Sequence, residues 1–224
     1  HDVIDAFARG GADARARGFD AVEIHGAHGY LLDQFLWEGT NQRDDAWGGS
    51  LENRLQFPLE IVRAVRAAVG PDFTVILRYS QWKQQDFTAR LVDNPDDLQR
   101  LVIPLSEAGV DIFHCSTRRF WEPEFEGSDL NLAGWTRKIT GKPCITVGSV
   151  GLDADFIPKP GEATFREAGP ASLDELLRRM EADEFDLVAV GRAMIANPEW
   201  ANLVREQRSD ELKAFEKEML FSLA

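Results

Sequence analysis

Cysteine, basic residues and long apolar runs are scarce in this sequence, and each scarcity disfavours a class of protein. Only two of the 224 residues are cysteines, Cys115 and Cys144, and both lie in apolar, strand-like runs. This is typical of reduced core residues and gives no sign of a disulfide framework. The 25 basic residues are outnumbered by 38 acidic ones, for a formal charge of −13. A nucleic-acid or anionic-membrane partner is disfavoured because either requires a basic surface. No apolar run reaches the roughly 20 residues of a membrane span and no signal-peptide pattern opens the chain, so we predict a cytoplasmic location.

Short strands and helices alternate along the chain, which predicts one domain over residues 1–224. Five nearly continuous apolar runs predict parallel strands that are buried on both faces. They are Ala21–His25, Thr74–Tyr79, Ile112–Cys115, Cys144–Val147 and Leu187–Val190. Such alternation requires a parallel sheet, either open or closed into a barrel. Because no strand is followed by the G-x-G-x-x-G turn of dinucleotide-binding folds, we favour a barrel, although a barrel has eight strand-helix units and this chain has five.

Capping residues predict where the helices begin and end. Asn94, followed by proline, begins one helix that stops at Gly109, and Gly70 ends another. The remaining helical signals are Ser172 and Asn197 as caps and an amphipathic tail through Leu212, Phe215 and Met219. The Leu152–Pro170 segment is rich in proline, glycine and charge, and we predict that it is a surface insertion.

The segment that follows the first strand carries the strongest chemical signal. His25 and His28 lie three positions apart in a glycine-containing loop, and Tyr30 follows. Two imidazoles and a phenol at the carboxyl end of a barrel strand could bind a carbonyl oxygen and supply a proton to a neighbouring carbon. Two other interpretations stay open: ordinary loop histidines that bond the backbone, and a metal site that includes His114, for which no convincing ligand set is visible.

Three later strand ends predict an anion site. Arg78 interrupts the apolar second strand, where a buried guanidinium requires either a carboxylate or an anionic ligand. The fourth strand ends at Gly148-Ser149 and the fifth at Gly191-Arg192. Since glycine lets backbone N–H groups approach an anion, and barrels commonly bind phosphate after their last two strands, we predict a phosphate site there. A simple turn at each glycine is the alternative.

Two sets of loop residues are less specific. The segment Asn41–Arg54 mixes charged and turn residues, and we interpret it as a structural loop held by ion pairs. Trp82, Trp121 and Phe125 follow the second and third strands and could cover a substrate pocket, although ordinary packing would explain them equally well.

With these motifs in order, the chain resembles the Old Yellow Enzyme family, the FMN-dependent ene-reductases also called NADH:flavin oxidoreductases. The segments that carry the resemblance are Ala21–Leu36 (AVEIHGAHGYLLDQFL), Asn41–Arg54 (NQRDDAWGGSLENR), Leu77–Ser80, Cys144–Gly151 and Leu187–Trp200 (LVAVGRAMIANPEW). The resemblance implies a TIM (β/α)8 barrel with FMN at its carboxyl rim. It also implies that NADH or NADPH reduces the flavin, whose N5 then passes hydride to an activated alkene.

The resemblance also implies roles for individual residues. His25 and His28 match the pair that binds the substrate's carbonyl oxygen, with His25 also near the flavin, and Tyr30 matches the usual proton donor. Arg78 matches the arginine beside the flavin N1/O2 edge. The four residues that match the FMN phosphate cradle are Gly148, Ser149, Gly191 and Arg192.

Members of the family carry a further upstream stretch with the first three barrel strands. The chain starts at His1 without methionine and enters a helix-like pattern at once, so we expect it to be the carboxyl-terminal portion, supplying strands 4–8. The alternative is a non-catalytic fragment that needs a second chain or the upstream segment to bind flavin. A small activated alkene is the expected partner, and a homodimer is compatible with the sequence.

Overall fold

The computed structural model describes residues 2–154 and 167–221. They form a five-stranded sheet in which all strands are parallel and neighbours follow chain order. The strands are β1 Ala21–His28, β2 Thr74–Lys83, β3 Ile112–Ser116, β4 Cys144–Val147 and β5 Leu187–Val188. The prediction of an α/β fold with a parallel sheet is therefore confirmed.

The helices fill the connections between strands. They are α1 Asp2–Ala16, α2 Leu31–Leu36, α3 Leu51–Val69, α4 Pro95–Ala108, α5 Leu132–Thr140, α6 Asp174–Glu181, α7 Arg192–Ala196 and α8 Trp200–Arg205. Two short 3₁₀ turns, Ser209–Glu211 and Lys217–Phe221, complete the described chain. No helix in this part of the chain is both long enough and apolar enough to cross a membrane.

One face of the sheet packs on the helices and the other, which we call the open face, does not. The Tyr79 hydroxyl lies 2.5 Å from Thr136 Oγ1 of α5, so alternate β2 residues (Val75, Leu77 and Tyr79) face the helices and are buried. The residues between them face the other way. Across the open face, His25, Arg78, His114 and Ile145 lie side by side in register.

The predicted strands begin where the structure begins them, but only β4 also ends where predicted, since β1 runs past His25 to His28 and β3 past Cys115 to Ser116. β2 runs four residues past Tyr79 to Lys83, and β5 stops at Val188, before the predicted Val190. Asn94 caps α4 by accepting the Asp97 N–H at 2.9 Å, and Gly109 follows its end, as predicted.

Three predicted helical features are wrong. α6 begins at Asp174, with Leu173 in the cap position, although the Ser172 hydroxyl still accepts the Asp174 N–H. Asn197 does not begin a helix, because its side chain instead joins the carbonyls of Ala193 and Lys213. The predicted amphipathic tail is not an α-helix, since Phe215 is buried and pairs with Ala168 in an isolated bridge.

Two further predictions concern the cysteines and the Leu152–Pro170 segment. Cys115 and Cys144 are buried, free thiols. Of the predicted insertion Leu152–Pro170, residues 155–166 lie outside the described part of the chain. Its two end residues pair in an isolated bridge.

Candidate active site

The carboxyl end of β1 gathers the three residues that the sequence singled out. The His25 ring centroid lies 5.3 Å from that of His28 and 5.2 Å from that of Tyr30. The strand is irregular there, because its register with β2 shifts between Gly26 and His28. Tyr30 is 50% exposed, so its phenol faces solvent while the two imidazoles are partly buried.

His28 lies in a tight backbone turn. Both His28 (φ 64°) and Gly29 (φ 82°) adopt the left-handed conformation, which is uncommon for a residue with a side chain. Two side chains hold the turn: Ser80 Oγ accepts the His28 N–H at 3.0 Å and Asp33 Oδ2 accepts the Gly29 N–H at 2.7 Å. The direction of the His28 side chain is thus fixed by its backbone.

The His28 imidazole is held on both sides. Its Nε2 lies 2.8 Å from the Ser116 hydroxyl at the end of β3, and its ring stacks on Trp82 with centroids 4.4 Å apart. Burial, and then the positive charge of Arg78, lowers the pKa of His28 from 6.5 to about 3. The ring is therefore neutral at neutral pH, and one ring nitrogen can donate while the other accepts.

Arg78 is half-buried on the open face, beside His25 in register. Its Nε is buried without a hydrogen-bond partner, and no carboxylate of the described residues lies within ion-pair distance of its guanidinium. Burial lowers the pKa of Arg78, and the charge of Glu23 opposes that effect. Glu23 itself bonds to His114 Nδ1 at 2.7 Å. Of the two partners predicted for Arg78, an adjacent carboxylate is thus not observed in the described chain.

A cleft of about 270 Å³ joins this end of the sheet to the predicted phosphate site. We call it the rim cleft; its lining includes His28, Arg78, Gly148, Ser149 and Arg192. At Gly148 (φ 147°) a Cβ atom would lie 2.7 Å from the Thr117 carbonyl oxygen, so a side chain is excluded there. Gly191 does not line the cleft and is exposed, with open space where a side chain would be. The structure therefore brings four of the five strand-end residues of the anion site into one cavity with His28.

The three aromatic residues predicted to cover a pocket do not come together, and Trp82 lies within β2 instead of after it. Trp82 lines the rim cleft beside His28. Trp121 packs edge-on against Phe120 and lines another cavity, whereas Phe125 is 6% exposed and packs against Trp135. The substrate-pocket role stays a prediction for all three, and the geometry favours Trp82.

The loop between α2 and α3 is tied mainly by hydrogen bonds to backbone. Asn41 Nδ2 donates to the carbonyls of Phe35 and Trp47, and the buried Arg54 donates to that of Leu36 at 2.7 Å. The predicted ion pairs are present as Arg43–Asp45 and a longer Arg54–Glu38 contact. These contacts agree with the interpretation of Asn41–Arg54 as a structural loop.

Several residues of the site were missed by sequence reasoning. Ser116 could have been found, because it is the polar residue at the end of β3. Lys83 and Asp33 form a fully buried ion pair behind His28, and Arg118 lines the rim cleft. Lys83 lay beyond the predicted end of β2, so no pattern placed it near the histidines.

No metal centre is formed by the described residues: none of their histidine, cysteine, aspartate and glutamate side chains gather in groups of three or more that could hold an ion. His28 instead bonds to Ser116, and His114 bonds to Glu23. The alternative of a metal site at His25, His28 and His114 therefore gains no support.

Comparison with known proteins gives a consistent assignment. The sequence profile of the NADH:flavin oxidoreductase / NADH oxidase family matches residues 1–167. The chain is 34% identical over 220 residues to an NADH oxidase of Thermoanaerobacter brockii, covering 95% of this chain and 30% of that protein. It is 34% identical over 197 residues to a putative 12-oxophytodienoate reductase 3 of Oryza sativa subsp. japonica, covering 88% of this chain and 46% of that protein. The solved structure of morphinone reductase in complex with tetrahydroNAD matches with a TM-score of 0.73 and 26% identity, over 97% of this chain and 51% of that one.

The fold is α/β, with a wholly parallel sheet. The chain belongs to the NADH:flavin oxidoreductase / NADH oxidase family, the Old Yellow Enzymes, as its motifs had indicated. Membership implies FMN and NADH-dependent chemistry for the family. The chain spans 30% to 46% of the length of these two curated relatives and about half of the morphinone reductase chain.

Proposed function

We propose that this chain carries the active site of an FMN-dependent oxidoreductase that uses NADH or NADPH to reduce the C=C bond of α,β-unsaturated carbonyl or nitro compounds. Family membership supports the proposal, and one structural observation carries it. The rim cleft connects the His28 end of the sheet with the glycine-arginine end, so a single elongated ligand with a polar ring and an anionic tail would contact both.

We further propose that the described strands are strands 4–8 of an eight-stranded TIM barrel and that residues 1–224 belong to one such domain. Two features support this: the sheet is wholly parallel, and its open face carries apolar residues that are only partly covered. Ile76, Ile112 and Ile145 are partly exposed there, and Leu187, which pairs with Ile145, is 48% exposed. In a closed barrel these side chains would fill the interior.

The residues present fit FMN. Arg78 offers a guanidinium with a buried, unbonded Nε, which suits the electron-rich N1/O2 edge of the flavin ring. At the other end of the cleft, Gly148 and Ser149 offer backbone N–H groups and Arg192 a guanidinium, which suit a phosphate. Gly191 precedes Arg192 and leaves room above its backbone. Bound FMN would supply the hydride; NADH or NADPH would replenish it.

The two histidines would bind the substrate's carbonyl or nitro oxygen. Burial is the largest cause that lowers the pKa of His25 as well as that of His28, so both act as neutral donors. Donors that are fixed before the reaction stabilise the negative charge that develops on that oxygen. If the Ser116 hydroxyl donates to His28 Nε2, it leaves the proton on Nδ1 for the substrate.

Tyr30 would donate the proton to the α-carbon. Its ring lies against that of His25 and its hydroxyl is within 3.5 Å of Gln84 Nε2, at the exposed mouth of the site. A phenol in this place can exchange its proton with solvent between turnovers. Trp82 would cover the substrate from the β2 side, and Trp121 and Phe125 would contribute only if their loop moved.

The test is spectroscopic. The purified protein should show the visible absorbance of bound flavin, which NADH or NADPH bleaches and an enone such as cyclohexenone restores under anaerobic conditions. His28→Ala should retain the bound flavin but lower the rate of restoration by about 10²–10³-fold, as does removal of one oxyanion donor. Bleaching without restoration by enones or nitroalkenes would refute the proposed substrate class.

The alternative is a non-catalytic fragment that requires a second chain or an upstream segment to bind flavin. The partly exposed open face favours it. Titration of the 224-residue chain with FMN separates the two, because tight and stoichiometric binding would eliminate the alternative. A homodimer and a cytoplasmic location remain predictions from the sequence.

A further inference from the structure

Lys83 and Asp33 form an ion pair whose two side chains are both completely buried. Lys83 Nζ lies 2.8 Å from Asp33 Oδ1. The ammonium group also donates to the carbonyl oxygens of Gln81 at 2.7 Å and Ser80 at 3.3 Å, so its three protons all have acceptors. Burying two charges costs several kcal/mol per ion before their attraction is counted, so a packed apolar pair would serve stability as well.

The pair connects the two segments that enclose His28. On one side, Asp33 Oδ2 accepts the N–H of Gly29, the residue directly after His28. On the other side, Lys83 holds the carbonyls of Ser80 and Gln81, which precede the Trp82 ring that stacks on His28. Lys83 is also the register partner of His28 across the irregular β1–β2 pairing.

The backbone of His28 needs such support. A left-handed conformation is unfavourable for a residue with a side chain, and it persists where surrounding bonds determine it. Here the Ser80 hydroxyl bonds the His28 N–H and Asp33 bonds the next N–H, and Lys83 fixes Asp33 and the Ser80 carbonyl at once. The ion pair is therefore the common anchor of the side-chain bonds that set this turn.

We propose that Lys83 and Asp33 are positioning residues that hold the His28 imidazole and the Trp82 ring in the geometry that binds substrate. This inference rests on the proposed function of His28. Neither residue lines the rim cleft, so both act through the His28 turn and not by touching the substrate.

The decisive variant is the neutral double substitution D33N/K83M. The amide oxygen introduced by D33N can still accept the Gly29 N–H, and the thioether side chain introduced by K83M fills the volume of the lysine stem, so no unpaired charge is left buried. The anchor to Ser80 and Gln81 is lost. The matched control is R66M/D111N, which removes the Arg66–Asp111 ion pair beside Gly109 and Val75, where β2 and β3 begin.

The kinetic measurement uses the flavin-loaded protein and the enone reaction. In D33N/K83M, kcat/KM for the enone should fall by at least about tenfold and up to about 10²-fold, because small misplacements of a binding group cost that much. The dissociation constant for FMN should change by less than about threefold, since the anchor touches none of the cleft. The control should leave both quantities unchanged. A kcat/KM within about threefold of wild type, or FMN affinity that falls in parallel with it, would overturn the proposal.

A second measurement does not depend on activity. In NMR spectra of protein with isotope-labelled histidine, the ring current of Trp82 should displace the chemical shifts of the His28 ring protons. The His28 signal is assigned by its loss in His28→Asn. The displacement should diminish in D33N/K83M and persist in R66M/D111N. If the wild-type protein reduces no enone, the proposed function fails, but this measurement still tests whether Lys83 and Asp33 position His28. An unchanged His28 signal in D33N/K83M would refute that positioning role.

Discussion

Arg78 has a charge in a half-buried position, and no carboxylate of the described chain pairs with it. If flavin is its partner, the arginine should reduce stability in the empty protein and contribute affinity in the loaded one. Arg78→Met should therefore leave the unfolding midpoint of the flavin-free protein unchanged or higher. The same variant should weaken FMN binding by about 10–100-fold, the value of a hydrogen bond to a charged group.

Thermal or urea unfolding without FMN would check the predicted stability of Arg78→Met. A fluorescence titration with FMN would check its predicted loss of affinity. Arg63→Met, on the solvent side of α3, is the matched control. A loss of stability in flavin-free R78M would show that the charge is used within the chain itself.

The lowered pKa of His28 links stability to pH. In the folded protein the ring stays neutral down to a pKa of about 3, whereas in the unfolded chain it takes up a proton below its ordinary value of 6.5. Unfolding therefore binds a proton in this window, and the free energy of unfolding falls as the pH falls from 6.5 towards 3.

Replacing His28 by Asn should flatten this dependence between pH 7 and pH 5, by at most one proton, or about 1.4 kcal/mol per pH unit. Urea unfolding at several pH values measures the slope. Tyr30→Phe changes the same loop without removing an imidazole and should leave the slope as it is. Equal slopes in H28N and wild type would show that the imidazole is not held neutral.

Among the elements, α4 begins at a side-chain cap that the sequence predicted. Asn94 accepts the Asp97 N–H through its side chain and lies on the surface, away from the rim cleft. Asn94→Ala should lower the free energy of unfolding by about 1 kcal/mol, whereas Asn94→Asp preserves the cap and should lower it much less. Chemical unfolding checks both, and neither variant should change FMN affinity. A similar loss in both variants would assign the effect to packing instead of capping.

Apolar runs and capping residues predicted the elements well where no distant contact overrides them. The start of every strand and the cap of α4 follow from apolar runs and from Asn94, because these depend on neighbours in sequence. The tail and the Asn197 region were mispredicted because tertiary bonds override their helical patterns: Phe215 pairs with Ala168, and Asn197 bridges to Lys213.

The residues of the site likewise divide into those that the sequence predicted and those that depend on contacts distant in sequence. His25, His28 and Tyr30 are close in sequence, so their meeting was predictable, and topology alone brought the glycine-arginine ends to the same cleft. The Lys83–Asp33 pair spans 50 positions and depends on how far β2 extends. No periodicity or spacing encodes such a contact. The three aromatic residues were grouped because they follow strand ends in sequence, but only Trp82 lines the rim cleft, while Trp121 and Phe125 pack elsewhere.

At the scale of the whole molecule, one ligand would connect both ends of the sheet. FMN should therefore stabilise the protein against heat more than riboflavin does, because riboflavin lacks the phosphate that Arg192 and Gly148 would bind. At a ligand concentration about 100 times the dissociation constant, the stabilisation should reach about 2.7 kcal/mol.

Arg192→Ala should reduce the effect of FMN to that of riboflavin, while Arg205→Ala, a substitution at an exposed arginine of α8, should not. Thermal unfolding with each ligand gives the comparison. Equal stabilisation by the two flavins in the wild type would place the phosphate outside the cleft.

The left-handed turn at His28 restricts which amino acids evolution or an engineer could install there. Asparagine, aspartate and histidine tolerate this backbone far better than other residues with side chains, and of these only asparagine and neutral histidine offer an N–H to an incoming oxygen. A saturation library at position 28, selected for turnover, should consequently return histidine and asparagine, because aspartate and glycine fit the turn without offering a side-chain N–H and the other residues strain the main chain.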